Sequence, residues 1–400
     1  MANSLLTIDM ITRKSLEILE NNLVISRNCN RQYDDSFAVQ GAKIGSTLRI
    51  RLPDRALVTD GAALQVQDDN EQYTTLSVAS QKHIGINFTS AELTMQLDDF
   101  AERVLKPRIS QLASSIDADV ATAYKSIYNS VGTPGTTPGT SLVLLQAQQK
   151  LNEFATPMSP RYATVNPAAN AGLVEGMKGL FNPTDTVSRQ FKNGMMGTGV
   201  LGFDEINMSQ SIGMHTTGAW GTTITSTGTL STQGQATLPI SFTGSGKTWK
   251  QGDVFTIAGV YAVNPQTRQS TGSLQQFVVT ADVTATTTGT LAISPAIYTA
   301  DHALATVDSF PQATAVVTML GSASTQYAQN LSYHKDAITL ATADLLLPQG
   351  VDMASRQTHN GISMRIVRQY DINNDRMPCR VDVLYGYAAI RPSMATRIWG

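Results

Sequence analysis

The chain has few charged residues and almost no cysteine. Asp, Glu, Lys and Arg make up 15% of its 400 residues, below the usual share of about 25%. Its two cysteines, Cys29 and Cys379, lie far apart and form neither a CxxC pattern nor a metal-type spacing, so we expect two free thiols in a reducing compartment. Apolar residues still reach 42%, so the chain can bury sizeable cores.

An excess of basic charge and long apolar runs are also missing. The formal net charge is −2, and the densest basic group, Arg49, Arg51 and Arg55, is interrupted by Asp54. Tight electrostatic binding of nucleic acid is therefore not expected. No apolar run approaches the roughly 18 residues that span a bilayer, and no signal-peptide pattern is visible. We expect a soluble protein made in the cytosol, without a membrane partner.

Two glycine motifs match a nucleotide-binding pattern only in part. Residues 197–202 fit GxGxxG, but no strand and helix pattern flanks them. Residues 244–248 resemble the end of a phosphate-binding loop, but Ser241 stands where its first Gly is needed and no helix pattern follows. We predict turns at both places and no cofactor site. A nucleotide-dependent catalyst is the weaker alternative.

No pattern for metal binding or catalysis stands out elsewhere. Asp371, Asn373 and Asp375 fit the start of a calcium loop, but Arg376 replaces the turn glycine, so a hairpin turn is favoured. The five histidines form no close pair and there is no GxSxG elbow. We therefore predict no catalytic residues, no cofactor and no metal, and that the chain is not an enzyme.

Patterning divides the chain into five predicted segments. They are an arm at 1–45, an extended β-loop at 46–95, a long spine helix and mixed core at 96–215, a small β-domain at 216–325, and mixed structure ending in strands at 326–400. A helix is predicted within 97–129 because apolar residues recur from Leu105 to Ile127 at a period near 3.6. Pro107 either lies in its first turn or kinks a longer helix that begins near Asp98. The segment 216–325 is rich in Thr, Ser and Gly, with short alternating runs that favour a sandwich or barrel.

The extended loop carries the candidate functional residues. A long hairpin with little core of its own is suited to lie on a neighbouring molecule. Its charges of both signs suit salt bridges to an adjacent subunit that set register; a solvated strand face is the alternative. The candidate contact residues are Arg49, Arg51, Asp54, Arg55 and Asp60.

Two C-terminal stretches carry a family resemblance. Residues 331–345 read LSYHKDAITLATADL, and residues 365–375 read RIVRQYDINND and run on through Pro378, Leu384 and Arg391. Together with the segment order, they resemble the major capsid, or coat, protein of tailed bacteriophages. The resemblance is to the podovirus-type subgroup with an inserted β-domain.

The resemblance implies both a fold and a role. The fold would be α+β of the Hong Kong 97 type, with arm, extended β-loop, spine helix, peripheral and axial domains, and an inserted small β-barrel or sandwich. Hexamers and pentamers would close into an icosahedral shell around double-stranded DNA, with a scaffolding protein and a portal protein as partners. The place would be the virion capsid, assembled in the host bacterial cytoplasm. A tail tube or fibre subunit is the alternative.

Overall fold

The computed structural model describes residues 8–31, 47–53, 55–58, 61–62, 64, 66, 72–88, 105–176, 197–228, 230–374 and 376–399. The chain forms two compact units, each assembled from separate stretches of sequence. The first comprises Met1–Ile50, Tyr73–Val120 and Thr339–Ala388, and the second comprises Arg51–Gln72, Ala121–Ile338 and Ala389–Gly400. Helices and strands occur in both, which confirms the α+β class.

The described elements are numbered in chain order. The helices are α1 Ile8–Asn22, α2 Lys106–Ala121, α3 Ser141–Glu153 and α4 Pro167–Gly176. The strands are β1 Thr47–Arg51, β2 Tyr73–Ser77, β3 Ser80–Phe88, β4 Ser130–Val131, β5 Arg161–Val165, β6 Gly197–Val200, β7 Phe203–Met208, β8 Met214–Thr216, β9 Thr222–Ser226, β10 Gln235–Thr243, β11 Lys247–Trp249, β12 Val254–Val263, β13 Ser270–Val279, β14 Val283–Ala285, β15 Thr288–Ile297, β16 Val317–Met319, β17 Gln326–His334, β18 Ile338–Thr342, β19 Met353–His359, β20 Ile362–Arg368, β21 Met377–Ala389 and β22 Ala395–Trp399.

The first unit contains a sheet with the strand order β18-β21-β20-β19, in which β3 also pairs with β21. Helix α1 lies against β19 and β20 and buries Leu16 and Leu19. The buried Asp117 of α2 fixes the chain that follows α1, because its carboxylate accepts hydrogen bonds from the amides of Val24 and Ser26. A carboxylate held by backbone amides in this way ties two distant parts of the sequence together.

Helix α2 confirms the predicted apolar spacing but ends early. Leu105, Ile109, Leu112 and Ile116 are all buried, and Pro107 lies in the first turn, where its missing N–H breaks no helical bond. The α-helix ends at Ala121 instead of continuing to residue 129, and a 3-10 helix follows. Burial there is no longer confined to one face of a helix, because the side chains at 123, 124, 127 and 128 are all buried. Tertiary packing therefore overrides the periodic signal.

The second unit contains a mixed sheet with the order β4-β22-β17-β5-β7-β6, to which β8 adds by pairing with β17. Helix α3 packs against β22 and β4. Asn166 caps α4, since its side-chain oxygen accepts from the amide of Ala169 at 2.8 Å. The apolar cluster beneath these helices includes Leu144, Leu151 and Val165.

Strands between residues 222 and 319 form a barrel. Their order is β16-β12-β13-β15-β10-β9, and the two end strands meet through a bridge between Thr225 and Val316. All of these pairings are antiparallel. The interior holds one apolar cluster that includes Trp249, Phe255 and Phe277. We call this closed sheet the barrel; its status as an inserted domain stays a prediction.

The two ends of the barrel segment lie beside each other. Strand β8 leads into the barrel and β17 follows it, and Thr216 pairs with Gln326 between these strands. The amide of Thr217 also donates to the carbonyl of Thr325 at 3.0 Å. The chain therefore leaves the mixed sheet and returns to it at one place.

Candidate functional site

Strands β1 and β2 form a two-stranded sheet, which we call the ribbon. Burial alternates along β1, as its sequence predicts: Arg49 and Arg51 are exposed, whereas Leu48 and Ile50 are half-buried. These two apolar side chains pack against the cluster that includes Leu76. The ribbon therefore has one face held within the first unit and one face turned to solvent.

The ribbon places two candidate contact residues on its exposed face. The guanidinium of Arg49 lies 5.0 Å from the centroid of the Tyr73 ring, a cation–π contact between the two strands. Arg51 follows two residues later on the same face. Two further candidates, Asp54 and Asp60, lie outside the described residues. An intersubunit role for these side chains stays a prediction.

Beyond the ribbon, Arg55 lies close enough to Tyr128 to affect its ionisation. Burial raises the pKa of Tyr128 to about 12, and the positive charge of Arg55 and a hydrogen bond with Ser393 partly oppose that increase. Arg55 itself is exposed. This part of the loop is thus associated with the packed interior of the second unit, while its charge remains available to solvent.

A hairpin of the barrel also holds this loop. Arg268 lies in the turn between β12 and β13, and its guanidinium donates to the carbonyl of Ala56 at 2.7 Å. The turn is shaped by Asn264, whose side-chain oxygen accepts from the amides of Gln266 and Thr267. Sequence reasoning missed this contact, because 212 positions separate its two residues and no local pattern links them.

A buried polar network joins three parts of the second unit. The ring of His215 on β8 is 2.9 Å from a carboxylate oxygen of Asp253 through Nε2, and 3.2 Å from the Tyr124 hydroxyl through Nδ1. Asp253 also accepts from the amides of Gly218 and Lys250. Because His215 and Asp253 are buried and hydrogen-bonded on several sides, we interpret the network as structural.

Arg397 is a second buried group that sequence reasoning missed. Its guanidinium donates to the carbonyls of Ile127 and Gly252 and lies 5.2 Å from the Tyr124 ring centroid. Burial lowers the pKa of Arg397 to about 9. An arginine read from sequence is expected at the surface, so nothing in the local pattern marks this one as a core residue.

Comparison with known proteins gives a family for the whole chain. The model of the family described as "P22 coat protein - gene protein 5" matches residues 1–400. The chain belongs to the P22 coat protein family. The resemblance inferred from the C-terminal stretches is confirmed by this match.

A curated relative agrees with the coat protein family. The chain is 22% identical over 338 residues to a "Major capsid protein" of Acyrthosiphon pisum secondary endosymbiont phage 1, which covers 79% of each chain. A structural capsid role is therefore supported over a tail tube or fibre subunit.

Solved structures show similarity at lower identity. Mycobacterium phage Che8 gives 11% identity, a TM-score of 0.47, and coverage of 94% of this chain and 90% of the other. The capsid of Ralstonia phage GP4 gives 8% identity, a TM-score of 0.45, and coverage of 89% and 84%. With scores below 0.5, these structures carry no weight in the family assignment, which rests on the sequence comparisons.

The glycine motifs of this coat protein family member lie in strands and in the turns that join them, so the turn prediction holds for only part of each motif. Residues 197–202 span β6 and the turn into β7, with Val200 paired to Phe203. Residues 244–246 form the turn between β10 and β11, Lys247 and Thr248 are the first residues of β11, and no helix follows them. Neither place offers the helix N-terminus that a phosphate cradle uses. Both are accounted for by strands and the turns between them.

The acidic turn near residue 371 is likewise a hairpin. Asp371 bridges to Arg376, and hydrogen bonds from the Asn374 side chain and the Asn373 amide lower the pKa of Asp371. Within the described ranges, no group of three or more His, Cys, Asp or Glu side chains is placed to hold a metal ion. No described helix combines the length and apolar character needed to cross a membrane.

Proposed function

We propose that many copies of this chain form hexamers and pentamers that close into an icosahedral shell around double-stranded DNA. The observation that carries the proposal is the match of the coat protein family model to residues 1–400. The low share of charged residues in the chain supports the proposal. A subunit that contacts many neighbours loses less free energy to desolvation when few of its contact residues are charged. We further propose the Hong Kong 97 type arrangement for the subunit, with arm, extended loop, spine helix α2, and peripheral and axial domains.

The partners in this proposal are other copies of the chain, a scaffolding protein and a portal protein, and assembly takes place in the cytoplasm of the bacterial host. DNA is enclosed without specific binding. With a net charge of −2, the chain has no excess of positive charge that would attract the DNA. Confinement of the DNA thus depends on the closed shell and on counterions.

Contacts between subunits would use the exposed face of the ribbon. Arg49 and Arg51 point to solvent on one strand, while the opposite face of that strand packs within its own unit. Charged side chains on such a face influence the rate at which two subunits associate, and their alignment, more than the affinity between them. Asp54, Arg55 and Asp60 would extend the same set of contacts along the loop.

The barrel would act as an inserted domain that steadies the subunit. Its core is self-contained between residues 224 and 317, and Arg268 holds the loop at Ala56. We expect deletion of residues 216–325 to leave a chain that no longer forms normal shells. Normal shells from the deletion variant would refute this role.

The test of the shell itself is expression of the chain alone and together with the neighbouring phage genes. Sedimentation and negative-stain microscopy then show what forms. We expect closed particles of uniform size, either from the chain alone or only when a scaffold is present. Tubes would favour the tail alternative, and a stable monomer under both conditions would contradict a shell role.

A further inference from the structure

Within the second unit, the barrel packs against the mixed sheet through an apolar seam. The buried side chains that form the seam are Val254, Ala262 and Val278 from the barrel and Tyr128, Phe154, Tyr327 and Trp399 from the rest of the unit. Apolar attraction is non-directional. Such a seam therefore holds two surfaces together without by itself selecting one orientation between them.

Directional polar contacts also cross the seam. Arg397 of β22 donates through Nη1 to the carbonyl of Gly252, in the turn that leads into β12, at 2.7 Å. On β13, the side chain of Gln276 accepts from the amide of Ser130 at 2.6 Å and donates to the carbonyl of Ser130 at 3.0 Å. Each of these hydrogen bonds requires a particular distance and angle, so they are met together in one orientation of the barrel.

The guanidinium of Arg397 contacts several segments at once. Its Nε donates to the carbonyl of Ile127, at the end of the 3-10 helix that follows α2, at 2.8 Å. Its Nη1 also lies 3.3 Å from the side-chain oxygen of Gln329 on β17. Because a guanidinium presents its donors in a rigid planar fork, the position of Gly252 is fixed relative to both segments.

The turn that carries Gly252 is constrained as well. The neighbouring Asp253 accepts from the amide of Gly218 at 3.1 Å. Gly252 has a φ of +104°, and a Cβ built there would lie 3.1 Å from Cε1 of the buried His215, so glycine is required. The carbonyl that Arg397 contacts is therefore presented by a turn with little freedom to move.

Burial of the positive charge of Arg397 is costly. The side chain is fully buried, and burial lowers its pKa to about 9. Replacement of buried ionic groups by well-packed apolar side chains is often neutral or stabilising, so stability alone does not account for an arginine at this place. Buried ionic groups can instead specify one arrangement among several of similar free energy.

We propose that Arg397 is a positioning residue that selects the orientation of the barrel on the mixed sheet. The seam supplies the attraction between the two surfaces, and the guanidinium selects one arrangement of them. The inference concerns the single subunit and does not depend on the proposed shell. Its consequence is that every copy of the chain presents the same surface of the barrel to its surroundings.

Hydrogen exchange of the full chain, read at single amides, tests the proposal in the variant Arg397→Met. The amide of Ser130 reports the orientation of the barrel, because it is bonded to the side chain of Gln276. The amide of Ala258 reports folding of the barrel itself, because it donates to the carbonyl of Val316. We expect exchange at Ser130 to become about tenfold faster, while exchange at Ala258 stays unchanged.

Arg161→Met is the matched control. Arg161 is also fully buried, and it donates to the carbonyls of Pro157 and Thr156, which lie outside the barrel. We expect the exchange rate of Ser130 to be the same in this variant as in the unaltered chain. Equal acceleration at Ser130 in both arginine variants would overturn the proposal.

Loss of folding in Arg397→Met, or equal acceleration at Ser130 and Ala258, would also overturn it, because Arg397 would then support stability instead of orientation. Arg397→Lys keeps the positive charge but not the fork of donors. We expect faster exchange at Ser130 in this variant as well. Unchanged protection of Ser130 in Arg397→Lys would show that charge alone is sufficient and would refute selection by the guanidinium.

Discussion

The barrel and the ribbon bury their apolar side chains in different ways. The barrel closes on itself through Thr225 and Val316 and packs an apolar cluster drawn from its own segment. The ribbon has two strands, and its inner residues Leu48 and Ile50 pack against a cluster that combines Leu76 of β2 with side chains from other parts of the first unit. A two-stranded sheet is at best marginally stable alone. The barrel thus supplies its own core, whereas the ribbon has one face packed in the first unit and one face exposed.

Loss of a large side chain from the barrel core should have the largest effect. Phe255 is fully buried and stacks on Phe277 with ring centroids 5.7 Å apart. We expect Phe255→Ala to lower the free energy of unfolding by about 3–5 kcal/mol, measured by urea denaturation of the free subunit. Tyr261→Ala on the same strand is the control, since Tyr261 is 39% exposed, and an equal loss in both would contradict a self-contained core.

The dependence of stability on alkaline pH should test the burial of Tyr128, which lies near Arg55 of the loop. Burial raises the pKa of Tyr128 to about 12 from 10.0. The unfolded chain therefore loses this proton first, and stability falls as pH rises from about 10 toward 12, by at most about 1.4 kcal/mol per pH unit.

Tyr128→Phe removes this contribution while keeping the ring. Urea denaturation of both proteins from pH 9 to pH 11 should therefore show the unaltered chain losing more stability than the variant. Other tyrosines ionise in the unaltered chain and in the variant alike, so their effect cancels in the difference between the two. If the free energy of unfolding changed with pH in the same way for both proteins, the pKa of Tyr128 would be the same in the folded and unfolded chains.

A smaller effect is expected where the barrel holds the loop. Arg268→Ala removes the hydrogen bond to the Ala56 carbonyl, which should change the free energy of unfolding by about 0.5–1.5 kcal/mol. The sharper readout is tryptic cleavage after Arg55, which should become faster as the loop is released. Arg268→Lys keeps the charge as a control, and an unchanged cleavage rate in Arg268→Ala would argue against a holding role.

The smallest effect on folding, and a large effect on assembly, is expected on the exposed face of the ribbon and in the loop that follows β1. Arg51→Glu or Arg55→Glu should change the free energy of unfolding by less than about 0.5 kcal/mol but should hinder shell closure, measured by sedimentation. Lys106→Glu is the control, because an acidic residue is favourable at the start of α2. Normal shells from both loop variants would contradict the proposed intersubunit contact.

Periodic signals in the sequence were sufficient to predict part of helix α2 and strand β1. The apolar spacing of α2 and the alternation along β1 both appear in the structure, since each depends on residues close in sequence. The end of α2 at Ala121 was not predictable, because packing of the following segment decides it.

The buried polar groups could not be predicted for a related reason. His215 and Asp253 are 38 positions apart, and Arg397 meets Gly252 across 145 positions. Pairing over such distances is determined by topology, which no local pattern encodes. The candidate contact residues were identified from charge on an extended strand, and the structure places Arg49, Arg51 and Arg55 at the surface.

The adjacency of Thr216 and Gln326 bears on how such a subunit could evolve. A segment whose entry and exit meet can be gained, lost or exchanged while the flanking strands keep their places. The same property makes this position a suitable graft point, where a foreign domain with neighbouring termini could be displayed in every copy of a particle.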